Sequence, residues 1–131
     1  MDDFKVIIAG CRDFSDYDLL REKCLYYLQN IRQTHNVVIV SGHASGADAL
    51  GERFATEQNF QTIVMPADWE KNGRSAGPKR NTQMAEVADA LIAFWDGQSR
   101  GTKNMIETAK KKGLIVKVVN YNNRMFIQSN L

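Results

Sequence analysis

Apolar residues in this chain fall into two kinds of segment that alternate from the N-terminus. Short runs rich in β-branched residues occur at Phe4–Ala9, Val37–Val40, Thr62–Met65, Ala90–Trp95 and Leu114–Val119, and such runs, bounded by turn residues, read as strands. Between them the apolar positions recur at helical spacing. Asp16–Thr34 carries Leu19, Leu20, Cys24, Tyr27, Leu28 and Ile31 on one face, and Ala47–Gln58 carries Leu50, Phe54 and Ala55. A further helix runs from about Pro78 to Val87, with proline in its first turn, and another from Thr102 to Lys112, stopped by Gly113. Five strands alternating with four helices predict an α/β fold: a Rossmann-like doubly wound sandwich, its parallel sheet covered by helices on both faces. The pattern occupies one domain, 1–131, with its core at about 4–119. The tail 120–131 is polar except for Met125, Phe126 and Ile127, and is expected to pack on the domain or on a partner subunit.

Composition narrows the class of function. At 131 residues the chain is long enough to bury a core without staples and too short for a second domain of common size. Lysine and arginine number 17 against 15 aspartates and glutamates, with one dense basic cluster at Lys110, Lys111 and Lys112, too small an excess to argue a nucleic-acid surface from charge alone. Cys11, Cys24, His35 and His43 have no metal-like spacing, and no disulfide framework is signalled. The acidic start Met1-Asp2-Asp3 does not suit a secretory leader, and no run approaches the ~20 apolar residues of a membrane span, so a cytoplasmic location is expected. Leu25 and Tyr26 lie off the main apolar face of their helix. That second face predicts a homo-oligomer, a dimer first of all.

In a sheet of this kind ligands lie beyond the carboxyl ends of the strands, so the loops after each strand are where chemistry is sought. The first, Gly10-Cys11-Arg12-Asp13-Phe14, joins a glycine that permits a tight exit to an arginine suited to bidentate contact with a phosphate or carboxylate. The second is Gly42-His43-Ala44-Ser45-Gly46-Ala47-Asp48. It has the two glycines, small residues and helix start that a bound phosphate needs, but neither the Walker lysine nor the dinucleotide spacing. As an ordinary tight turn, the same residues would use Ser45 as a helix cap. Asp48 either contacts a ribose or suits the first helical turn. On the phosphate reading, Gly46→Val abolishes binding and leaves the fold intact.

The third loop places Asp68 and Trp69 in a polar stretch, followed by Arg80 and Asn81 in the first turn of the next helix. Trp69 either stacks on a base or anchors a packed lid. The fourth, Asp96-Gly97-Gln98-Ser99-Arg100-Gly101-Thr102, again joins a strand to a helix start. Ser99 and Thr102 supply extra donors, and Asp96 is suited to a ribose or a cation.

The series "GCRDF", "SGHASGAD", "PADWEKNGRSAGPKRNTQM" and "FWDGQSRGTKNMIETAKKKGLIVKVV" resembles the YspA-like, YpsA-related branch of the SLOG superfamily, which groups relatives of Smf/DprA with the Lonely Guy phosphoribohydrolases. The resemblance runs from about Phe4 to Val119 and implies a Rossmann-like fold with a nucleotide site at the motif loops. In the superfamily related loops serve hydrolysis of nucleoside monophosphates, sensing of ADP-ribose-type signals, or binding of single-stranded DNA. The Lonely Guy enzymes and the nucleoside deoxyribosyltransferases place a catalytic glutamate three residues after the threonine of Gly-Thr-x-x-Glu. Here that position is Met105, whose thioether can act neither as nucleophile nor as base. Glu107 lies about 200° further round the helix. The Arg in the middle of the Smf/DprA turn is Ser45 here.

The expected function is therefore binding or sensing of a nucleotide or nucleotide-derived ligand such as ADP-ribose, an NAD-related compound or a nucleoside monophosphate, with no permanently bound cofactor and no metal. The expected ligand-binding residues are Gly10, Arg12, Gly42, His43, Ser45, Gly46, Ala47, Asp48, Trp69, Arg80, Asn81, Asp96, Gly97, Ser99, Gly101 and Thr102. The alternative is a hydrolase of an N-glycosidic or phosphoester bond using Asp48, Asp68 and Asp96, and the third reading is a single-stranded DNA-binding protein.

Overall fold

Strand β1 (Asp3–Gly10) is the middle of a five-stranded, all-parallel sheet of order β3-β2-β1-β4-β5. The computed structural model describes residues 1–122. β1 buries Val6, Ile7 and Ile8 in succession, as a central strand covered on both faces must. Its neighbours are β2 (Asn36–Ser41) and β4 (Ala90–Trp95), and the edges are β3 (Gln61–Val64) and β5 (Ile115–Asn120).

The helices divide between the two faces. α1 (Tyr17–Leu28) and α3 (Ala47–Glu57) bury Leu20, Cys24 and Phe54 against Val6, Ile8, Ile39 and Phe94. On the other face α5 (Ala76–Val87) and α6 (Arg100–Lys111) bury Met84, Met105 and Ile106 against Ile7, Val40, Leu91 and Ala93. The chain steps outward from β1 to β3, then returns across the sheet to β4. Strand order therefore reverses between β1 and β4, which opens a crevice at their carboxyl ends.

The expected elements are present, with shifted ends and two additions. The first predicted helix stops at Leu28, turns at Gln29–Asn30 and resumes as the short α2 (Ile31–Thr34), so that Ile31 still packs against the core. Asp16 caps α1, its carboxylate accepting from the amide of Leu19 at 3.1 Å. The predicted loop 66–76 holds a helical turn, α4 (Trp69–Asn72), followed by a 3₁₀ turn, Gly73–Ser75. α5 accordingly starts at Ala76 rather than Pro78, and Arg80 and Asn81 stand in its second turn, not its first. Leu25 packs on the core, whereas Tyr26 stays exposed. Of the tail, Asn120 completes β5 and Tyr121 packs on Phe14 with ring centroids 5.0 Å apart; the expectation for Met125, Phe126 and Ile127 lies outside the described residues. No helix among the described residues is long and apolar enough to cross a membrane.

Candidate functional site

A cavity of about 530 Å³ opens at the β1–β4 reversal. Its lining joins the β1 loop (Gly10, Arg12, Asp13), Asp48 at the start of α3, Trp69, Arg80 and Asn81 of α5, and the start of α6 (Ser99, Arg100, Gly101, Thr102), with Asp96 at the end of β4. Loops far apart in sequence meet here because parallel strands deliver all their carboxyl ends to one edge.

The β1 exit is built tightly. A Cβ on Gly10 would collide with the carbonyl of Phe94 on β4, so only glycine lets the two strands stay paired up to the crevice. Cys11 then acts as a backbone hub: its amide donates to Phe94 O at 3.1 Å, and its carbonyl accepts from Phe14 N and Ala47 N, each at 3.2 Å.

That last bond decides what the β2–α3 turn can do. The leading amide of α3 is already used by Cys11, and the amide of Ala44 donates to Asp48 Oδ2 at 3.2 Å. Gly46, with φ of 75°, presses on the β1 loop; an added Cβ would strike Cys11 O and lie 2.5 Å from the Arg12 carbonyl. Against the expectation that Gly46→Val leaves the fold intact, a side chain there meets these two carbonyls from a left-handed backbone. Ser45 is not the cap of α3 either. Gly46 occupies that position, and Ser45 Oγ donates to Arg12 O at 3.2 Å. Gly42, Gly46 and Ala47 support the cavity from behind and do not line it.

His43 turns away. Its backbone is left-handed, with φ of 61°, and its Nδ1 meets Glu52 Oε2 at 2.9 Å, the same oxygen that accepts from the buried Ser41 hydroxyl at 2.7 Å. Asp68 lies outside the lining as well, capping α4 by accepting from Lys71 N at 3.0 Å.

Asp48 and Arg80 close the inner wall. Arg80 Nη1 donates to Gly42 O at 2.7 Å, and its Nε to Asn81 Oδ1 at 3.1 Å, which fixes the guanidinium across the sheet edge from α5 to the β2–α3 turn. A Cβ on Gly42 would collide with this guanidinium and lie 2.8 Å from Asp48 Oδ2. Burial raises the Asp48 carboxyl above the ordinary aspartate value; the Ala44 amide and Arg80 oppose the shift without cancelling it. Burial likewise lowers Arg80, with Asp48 opposing. Asn81, buried, is held by its amide's 2.9 Å bond to Asn104 Oδ1 on α6.

The β4–α6 turn is arranged differently. Asp96 Oδ1 accepts from the amides of Gln98 and Ser99, both at 2.8 Å, and these two bonds, Ser99 first, hold its carboxyl below the ordinary value. Gly97, with φ of 85°, makes the reversal. Beyond it, a Cβ on Gly101 would meet nothing within 4 Å. The first turn of α6, whose leading amides have no intrahelical acceptor, contributes Arg100, Gly101 and Thr102 to the cavity lining. Met105, buried, forms the wall where a glutamate would stand in the hydrolase motif.

At the mouth, Trp69 is half-exposed, with the Arg12 guanidinium 5.5 Å from its ring centroid and Gly77 beneath the indole. Cys11, Asp13, Gly77, Arg100, Asn104 and Met105 line the cavity although sequence reasoning singled out none of them as ligand-binding. Arg100 and Asn104, four residues apart on α6, had a readable signal in their helical spacing once the helix start is placed at Arg100. Among the described residues no group of three or more His, Cys, Asp or Glu could hold a metal ion.

Comparisons with known proteins agree with this architecture. The sheet matches DNA processing protein A (DprA) from Streptococcus pneumoniae with a TM-score of 0.68 at 20% identity over 89% of this chain, and the chain spans about half, 50%, of that protein. TM1055 matches with a TM-score of 0.62 at 19% identity over 88% of this chain and 72% of its own. In sequence, the Gene 61 protein of Mycobacterium phage D29 is 32% identical over 126 residues, 92% of this chain and 98% of that protein. The model of the YspA, cpYpsA-related SLOG family matches residues 4–72, and with a full-length relative at this identity beside it, the chain belongs to that family.

Proposed function

We propose that the cavity binds a nucleotide or nucleotide-derived ligand and that the protein works as a binding or sensing module. The observation that carries this reading is the convergence of the open first turn of α6 with Arg12, Arg80 and Arg100 on one cavity. Helix amides and arginine forks together are what a phosphate group requires. The half-exposed indole of Trp69 offers a face for a base, and about 530 Å³ falls within the ~300–1,000 Å³ usual for small-ligand sites.

Calorimetry against ADP-ribose, NAD, AMP and cyclic nucleotides tests the reading, together with mass spectrometry of small molecules released on denaturation. Saturable binding is expected, weakened about tenfold or more in Arg80→Ala by loss of a charge-assisted hydrogen bond. A folded sample that binds none of these compounds and carries no nucleotide removes it.

A second reading, hydrolysis of an N-glycosidic or phosphoester bond, is favoured by the opposite poise of two of the cavity's three carboxylates: Asp48 is shifted toward its protonated form and Asp96 toward its ionised form. Product analysis with nucleoside monophosphates tests it. Turnover unchanged by Asp96→Ala would remove Asp96 from the chemistry.

A further inference from the structure

Where α5 and α6 wall the cavity, its lining is apolar apart from two carboxamides that follow Arg80. Ala9, Met84 and Met105 line it while no more than 6% exposed, and Asn81 and Asn104 stand beside them. Arg80 fixes which way both amides point. A guanidinium has donors only, so the 3.1 Å bond from Arg80 Nε must end on the oxygen of Asn81. The nitrogen of Asn81 then faces Asn104, 2.9 Å away, which has to answer with its own oxygen. Among the described residues the Asn104 side chain makes no second hydrogen bond, so with its oxygen turned to Asn81 it presents its amide nitrogen as a donor. Arg80, the source of this polarity, adds donors and no acceptor to the same wall.

Resting on the nucleotide reading above, we infer that this wall receives the base of the ligand and that Asn104 determines its identity, so that a 6-oxopurine is preferred to a 6-aminopurine. An apolar lining with thioethers and a few fixed polar groups suits a planar heterocycle. A 6-oxopurine offers two neighbouring acceptors, the 6-oxygen and the 7-nitrogen, whereas a 6-aminopurine sets an amino donor beside that nitrogen and opposes one donor with another. The bidentate carboxamide contact that reads adenine needs both ends of the amide, and here the oxygen is engaged by Asn81.

The test is calorimetry on the full chain with inosine, guanosine and adenosine 5′-monophosphates. The inosine and adenosine compounds share sugar and phosphate, so the ratio of their affinities reads the base alone. Inosine monophosphate is expected to bind about tenfold more tightly than AMP. Asn104→Ala brings the ratio close to one, and Asn104→Asp, which still accepts from Asn81, inverts it. Circular dichroism checks that the variants fold; if they do not, the ratio in the parent decides alone. AMP bound as tightly as inosine monophosphate overturns the inference. So does a ratio unmoved by Asn104→Ala, and so does equal weakening of both nucleotides in Asn104→Asp, the result of a phosphate rather than a base at this amide. Adenine nucleotides bound with no 6-oxopurine counterpart also overturn it and leave the nucleotide reading standing, whereas failure of every nucleotide to bind removes both.

Discussion

Two turns in this protein share a description, strand end, small polar residues, glycine, helix start, and yet they do opposite work. In the β2–α3 turn, Gly42 and Gly46 are both crowded: the first by the ends of the Arg80 and Asp48 side chains, the second, which also needs its φ of 75°, by the Cys11 and Arg12 carbonyls. In the β4–α6 turn, Gly97 is required by its φ of 85°, while Gly101 has empty space in front of it. The first pair is packed against the domain, whereas Gly101 has open space in front of it. Even the carboxylates differ, for Asp48 is buried with a single backbone bond to Oδ2, and Asp96 takes two amides on Oδ1.

The contrast predicts unequal damage from like substitutions. Gly46→Val is expected to cost about 3 kcal/mol or more, because a β-branched residue must adopt a left-handed backbone and displace two carbonyls at once. Thermal unfolding checks this: a variant as stable as the parent would mean that the turn yields, and that its glycines are there for a ligand after all.

A smaller effect separates the two carboxylates by sign. Asp48 holds its proton to higher pH in the folded state than in the unfolded chain, so its contribution is full below the ordinary value of 3.8 and is lost as pH rises through the folded value. Asp96 contributes above that value and loses its contribution as pH falls through its lowered one. Melting temperatures from acid to neutral pH should therefore show Asp48→Asn gaining on the parent as pH rises, and Asp96→Asn losing ground as pH rises. Parallel curves would show that the two environments are alike.

The mildest case is Gly101→Ala. Alanine at an uncrowded first-turn position leaves stability unchanged or raises it by about 0.5 kcal/mol, yet it narrows the approach to the α6 amides and weakens ligand binding. Calorimetry and melting on the same sample check both halves. Loss of stability with binding intact would reverse the roles assigned to the two turns.

Most of the architecture was readable from the chain. Continuous β-branched runs such as Val37–Val40 mean burial on both faces, and that condition is met in a parallel sheet with helices on either side. The candidate site was readable in part. Arg12, Asp48, Trp69, Arg80, Asn81, Asp96, Ser99, Gly101 and Thr102 line the cavity along with Gly10, whereas His43 and Asp68 take local partners instead. In sequence Trp69 lies in a polar, glycine-containing stretch that reads as a loop; the α4 turn around it forms through Asp68, whose carboxylate caps four residues that no periodicity could mark.

By itself, then, the sequence determined the alternation of strands and helices, the loops where chemistry could sit and the absence of a glutamate at Met105, since each depends on residues near one another in the chain. Which glycine turn stays open was decided only by tertiary structure. That choice depends on the Cys11 carbonyl reaching Ala47 and the Arg80 guanidinium reaching Gly42, contacts 36 and 38 residues apart that no local pattern encodes.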